Sequence, residues 1–235
     1  TNIVGNIYGI NNIDIYAKDT IDIRGILADG ATIETVSKLD ADNSIILKSD
    51  NKITISDSVK ITAENSITIE AKNLLEIGTE ASNNIHSKVV SDDSIDGYTV
   101  GQTIVTGDSV SLKSGIDMTL SGLITGANGI TISSGAPSVN SVNDGGIKGD
   151  YELELITTAV DSDIKITTGL YGGNIDLVGS KITAVDNITM KAEAGQINQT
   201  LGQVFADNIT AEAETKIDIN KIVNKVNLSL NDKGH

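Results

Sequence analysis

Seven aspartates are the residues of this chain whose type and spacing come closest to chemistry. Asp40-x-Asp42 and Asp161-x-Asp163 each set two carboxylates on one side of a local extended segment, and Asp92-Asp93 with Asp96 gathers three in a short loop. Grouped carboxylates suit calcium, which takes roughly six to eight oxygens, so a pair needs carbonyls, water or a neighbouring chain to complete the shell. None of the groups extends into a helix–loop–helix calcium pattern, and no glycine-rich nonapeptide repeat accompanies them. The simpler expectation is carboxylates solvated at corners. Calcium is the one cofactor they would suit, and none is required.

Acid–base cleavage of a polysaccharide would need paired carboxylates, or a base beside an acidic calcium site, in a groove that grips sugar. Such grooves generally use aromatic platforms. Here Tyr8, Tyr16, Tyr98, Tyr151 and Tyr171 are spread along the chain, and Arg24 is the only arginine. No Gly-rich phosphate loop, Ser-His-Asp set or His-rich metal motif is present. His86 stands alone in its segment and reads as a surface residue. With no cysteine, disulfides and thiolate metal sites are excluded. The expectation is a protein that is not an enzyme, with a polysaccharide-degrading activity as the least favoured alternative.

Acidic residues outnumber basic ones by 32 to 17, giving a net charge of −15. Nucleic acid and anionic membranes bind Lys and Arg clusters, so neither is an expected partner. No apolar run is long enough to insert in a membrane as a helix.

What must position these residues is a repeat. Between Asn43 and Thr79 the triplets Ile53-Thr-Ile55, Val59-Lys-Ile61, Ile67-Thr-Ile69 and Leu75-Glu-Ile77 follow at steps of 6, 8 and 8. Each sets two aliphatic residues on one face and a polar one on the other, the period-2 mark of a half-buried strand. The links are short and polar, enough for a bend but too short for a helix. The same triplets recur from Ile13-Asp-Ile15 to Val226-Asn-Leu228. Asparagine stands just ahead of strands at Asn12, Asn43, Asn65, Asn187 and Asn208. It tolerates the backbone of a sharp corner, and its amide can bond to an equivalent amide one layer away. Ile, Val and Leu dominate the apolar set, with no Trp and a single Phe, Phe205. Stacked aliphatic rows do not need large aromatics, whereas an irregular globular core does.

These patterns predict an all-β protein: a right-handed parallel β-helix (β-solenoid) of short strands, with roughly ten to twelve coils and a rod about 50 to 60 Å long. The inward set is expected to include Ile53, Ile55, Ile61, Ile67, Ile69, Leu75 and Ile77. An antiparallel β-sandwich, or two small β domains, is the alternative. Residues 1–235 are read as one solenoid body with irregular excursions at 83–108 and 133–150, the second holding the only proline, Pro137.

The phrases NSITIEAK, DNITMKAEAG, NKITIS and ANGITISSG resemble the degenerate repeats of filamentous-haemagglutinin-like exoproteins, the large bacterial adhesins exported by two-partner secretion. Autotransporter passengers use similar units. The likeness covers about two-thirds of the chain, and the Asn-Pro motifs of the secretion-recognition domain are missing. It implies a secreted or cell-surface location and a non-catalytic role as stalk or binding segment of an adhesin. The partner would be a host-surface protein or glycan. The alternative is a structural subunit of an extracellular filament or surface layer, whose partners are copies of itself, joined head to tail with or without calcium.

Overall fold

Alternation of aliphatic and polar residues leaves each strand one side to hide, and the chain hides it by winding. A computed structural model describes residues 1–27, 34–35, 37–56, 59–78, 103–135, 145–169, 173–219 and 227–232. Among them the regular structure is entirely β. One nine-stranded sheet stacks Asn2–Val4, Thr20–Arg24, Lys52–Ile55, Leu74–Ile77, Asp117–Leu120, Ile147–Gly149, Ile175–Leu177, Gln196–Gln199 and Lys216–Ile219, all in parallel. These strands form the first face and number the coils, 1 to 9. A fifteen-stranded sheet supplies the second and third faces, also in parallel. Antiparallel pairing is confined to one ribbon, Ile26–Leu27 with Glu34–Thr35. The molecule is a parallel β-solenoid, and the antiparallel sandwich is excluded.

The register converts sequence repeats into columns. On the first face Ile21, Ile53, Leu75, Met118, Ile147, Ile175 and Ile197 lie one above another. On the third, Ile45, Ile67, Val110, Ile130, Ile164 and Ile188 do the same. All seven residues expected to point inward, from Ile53 to Ile77, are fully buried. Each such side chain contributes about 1.5–3 kcal/mol of hydrophobic stabilisation. Gln199 is the exception on the first face. It is wholly buried beneath Ile219, its Nε2 donates to the Ser180 carbonyl at 3.2 Å, and its Oε1 has no partner among the described residues.

Where the third face turns back into the first, the interior narrows and the inward column becomes small: Ala17, Ser49, Ala71, Ser114, Ser134, Thr168, Ala192. The hydroxyls there donate to backbone carbonyls of the corner. Ser134 Oγ donates to Gly145 O at 2.9 Å, and Thr168 Oγ1 to Gly173 O at 2.7 Å.

The asparagines form the ladders their position suggested. Asn65 Nδ2 donates to Asn43 Oδ1 at 3.2 Å, and Asn43 Nδ2 to Asn12 Oδ1 at 2.9 Å. A second ladder runs from Asn73 to Asn51 to Asp19, and a third from Asn208 to Asn187 to Asp163. Every rung donates toward the lower-numbered coil. A carboxylate, which can only accept, ends two of the three ladders. Asn187 and Asn208 also open Asn-x-Ser/Thr sequons, and here their amides are spent on the stack.

The coil number corrects the expectation of ten to twelve. Among the described residues nine coils rise through eight steps, roughly 40 Å at about 4.8 Å each. The reason is uneven chain consumption. One level takes 22 positions from Lys52 to its neighbour Leu74, but 43 from Leu74 to Asp117 and 29 from Met118 to Ile147. The excursion boundaries change as well. Ile104–Ser114 is one strand that bends across the second and third faces, so residues 103–108 belong to the coil, while 83–102 lie outside the described residues. At 133–150, Ser133 and Ser134 finish the strand Leu123–Ser134, and Ile147–Gly149 returns to the first face with Ile147 fully buried. The expected three short strands per coil miss these two long ones because pairing runs on through their bends, although Gly107-Asp108 and Gly126 to Gly129 mark them. Ile10, part of the early apolar pattern, is 86% exposed at a corner.

Candidate functional site

A solenoid corner can carry chemistry where the stack is interrupted, and among the described residues coil 6 has such a corner. Between the second and third faces, coil 7 crosses from Thr183 to Asn187 with three residues, 184–186. Coil 6 crosses from Ile156 to Asp163 with six, 157–162. The extra length stands out from the wall, with Val160 at its tip 82% exposed. It is braced on three sides. Thr158 and Ala159 donate their backbone N–H groups to Ala127 O in coil 5, at 3.3 and 2.9 Å. Thr157 Oγ1 accepts from Val185 N in coil 7 at 3.2 Å. Within the loop, Ser162 Oγ donates to Ala159 O at 2.6 Å.

Beside this overhang the outward column reads Ser66, Ser109, Gly129, Asp163, Asn187. Gly129 is the one position in it without a side chain, and a register shift between Gly107 and Ser109 widens the wall at the same level. The missing side chain and the overhang together leave a groove of about 270 Å³ across coils 4 to 6. Ser109, Ser111, Asn128, Thr131, Asp161, Asp163 and Lys165 line it, over Val110 and Ile130.

The two carboxylates are not equivalent. Asp163 accepts from Asn187 Nδ2 at 2.7 Å and lies 3.8 Å from Lys165 Nζ. Asp161 has φ +61, a left-handed conformation rare for a residue with a side chain, and makes no hydrogen bond or ion pair among the described residues. Ser162 between them points inward and is fully buried. The groove therefore presents one unengaged carboxylate, three hydroxyls, an amide and a loosely paired ammonium. It can donate and accept hydrogen bonds at close spacing.

No family model, curated protein or solved structure matches the chain.

The other aspartates are scattered. Asp40 is exposed on the second face and Asp42 at the following corner, with buried Ala41 between them. They do share an outward side, as expected, but in coil 2, far down the stack from the groove. Asp92, Asp93 and Asp96 lie outside the described residues. Among the described residues no three His, Cys, Asp or Glu side chains gather as they would around a metal ion. The pair 161 and 163 does meet in one site, but not as a local extended segment, because Asp161 sits in a turn. Sequence inspection missed Ser109, Ser111, Asn128, Gly129, Thr131 and Lys165. They are distant in the chain, and only the vertical register joins them. The available signal was the spacing across that one corner: 9 positions from Leu155 to Ile164, against 6 from Ile182 to Ile188 and 5 from Val204 to Ile209.

Elsewhere the outer surface is a set of exposed ion pairs. Lys191 is held between Glu193 at 2.8 Å and Glu212 at 3.9 Å, which raises its pKa above the ordinary lysine value. Arg24 grips Asp22 and is likewise raised. Such exposed pairs contribute little to stability.

Proposed function

We propose that the chain is a non-catalytic extracellular segment of a bacterial surface protein, a stalk or binding portion of an adhesin. The observation that carries this is the unbroken first-face sheet, whose nine parallel strands share one register from Asn2 to Ile219. A stack of that kind is stiff and extended, and it can lengthen by adding coils without changing its core. It holds outward side chains at fixed intervals, which suits display. The long inserts and the groove are the places where such a rod departs from monotony, and they are its natural points of contact with a host-surface protein or glycan.

Beads coated with the chain should adhere to host epithelial cells better than albumin-coated beads; equal adhesion would overturn the proposal, as would turnover of any polysaccharide by the pure chain. Replacing residues 136–144 with two glycines locates the contact. Gly135 and Gly145 already abut, a Cβ built on Gly145 falling 2.5 Å from Gly135 Cα, so the shortened corner should close with the fold intact. Cutting further, through Ile147, would remove a fully buried strand residue.

A second proposal, a filament subunit joined head to tail with calcium at acidic corners, is favoured by the stack itself, since parallel coils in one register can be continued by the coils of another copy. Electron microscopy with calcium and with chelator tests it: filaments in calcium would support assembly, and single rods in both conditions would rule it out.

A further inference from the structure

We propose that the groove across coils 4 to 6 holds one unit of a neutral, hydroxyl-rich saccharide, with the Asp161 carboxylate accepting from adjacent ligand hydroxyls. This rests on the adhesin proposal for its biological setting but not for its chemistry. The lining decides by elimination. An apolar ligand would bury the hydroxyls of Ser109, Ser111 and Thr131 and the Asn128 amide without partners, at a desolvation cost for each. An anion would face Asp161 and Asp163. A simple cation would satisfy Asp161 but bring a like charge toward Lys165 and leave the hydroxyls idle. A polyol satisfies all of them, because each of its hydroxyls both donates and accepts. About 270 Å³ is room for one sugar ring. The two ligand-side hydroxyls of a vicinal diol match the two oxygens of a carboxylate, and Asp161 is the one lining carboxylate with both oxygens unengaged.

The site is also built before any ligand arrives. The overhang carrying Asp161 is tied to coil 5 through Ala127 O and to coil 7 through Thr157 Oγ1. Asp163 is fixed by Asn187 at 2.7 Å. A preformed site spares the ligand the cost of ordering a loop. With no aromatic side chain in the lining, binding must come from hydrogen bonds alone. The affinity should therefore be of millimolar order, and strongly dependent on Asp161.

Saturation-transfer NMR of the full chain with glucose, galactose, mannose and N-acetylglucosamine, one at a time, tests the proposal. At least one sugar should receive saturation. Asp161→Asn keeps a residue that tolerates the left-handed backbone but removes the second acceptor oxygen, and should weaken binding about tenfold. Asp161→Gly should abolish binding while raising Tm by a few degrees, since glycine adopts φ +61 without strain. Loss of binding with a higher Tm cannot be explained by unfolding. Thr131→Val, nearly the same shape without the hydroxyl, should weaken binding by a smaller factor. No transfer to any of the sugars, or transfer unaffected by all three substitutions, would overturn the saccharide site. The bead assay separates the two proposals. Adhesion without sugar binding would sink the groove and leave the adhesin, whereas sugar binding without adhesion would do the reverse.

Discussion

Ile67→Asp is expected to abolish cooperative folding of the chain. Ile67 lies in coil 3 on the third face, fully buried, with Ile45 below it and Val110 above. A carboxylate there would meet only aliphatic side chains; no lysine or arginine belongs to the inward columns. Leaving it charged and unpaired, or forcing it neutral, costs several kcal/mol, to which the lost burial of the isoleucine adds about 1.5–3 kcal/mol. A domain is stable by only about 5–15 kcal/mol in all. In a stack each coil rests on its neighbours, so a coil that cannot close exposes the apolar faces of the two beside it. Circular dichroism followed through heating should show loss of the β signal at room temperature, or a Tm lower by more than about 10 °C. A wild-type transition would show that the third-face column is not a continuous core. Ile67→Val is the matched control, expected to cost only about 1 kcal/mol.

Gly115→Ala should be nearly as damaging, although it adds a single methyl group. Gly115 sits at the corner from the third face into the first, in coil 4, and its N–H donates to Ala71 O at 3.0 Å. A Cβ on it would land on the Lys72 carbonyl oxygen of the coil below, well inside contact distance, and that oxygen belongs to backbone that cannot swing away. Gly169 meets Gly135 O in the same manner, and Gly173 meets Gly145 O. In coils 4 to 6 this corner position is glycine, Gly115, Gly135 and Gly169, whereas coils 2 and 3 carry Asp50 and Lys72 there, so the tight fit belongs to these levels. The φ of Gly115 is not in the left-handed region, so the effect is steric, not conformational. The alanine variant must push coils 3 and 4 apart locally, losing the Gly115 and Ile116 amide bonds across the corner, the latter to Asn73 O at 2.8 Å. A loss of about 2–4 kcal/mol is expected, read as a lower urea midpoint. By contrast, Gly5→Ala, in open space with φ +106, would carry only a backbone penalty of about 1–2 kcal/mol. Equal effects at the two positions would mean the corner is looser than drawn.

The fold was legible in the triplets because a solenoid core is a local device. Ile53-Thr-Ile55 or Ile67-Thr-Ile69 states which side is hidden without reference to any distant residue, and the parallel stack follows from placing such triplets over one another. The asparagine ladders were legible for the same reason: Asn43 and Asn65 precede equivalent strands and so arrive at equivalent corners. The candidate site was legible only in part. Asp161 and Asp163 stand out in the sequence as a carboxylate pair, but Asp161 lies in a turn and not in the extended segment the spacing suggests. Their real companions, Ser111 and Thr131, are ordinary outward residues of two other coils, indistinguishable in sequence from Thr68 or Thr189 in the same column.

The amino-acid sequence by itself determined the all-β class and the inward set, and favoured parallel stacking over an antiparallel sandwich, because period-2 burial and short polar links act over a few residues. The tertiary structure alone decided which residue stands above which. Vertical register depends on which residues each corner loops out: coil 6 spends six where coil 7 spends three, and the columns on either side still align. That arrangement placed Gly129 between Ser109 and Asp163, opened the groove, and set Gly115 over a carbonyl of the coil below.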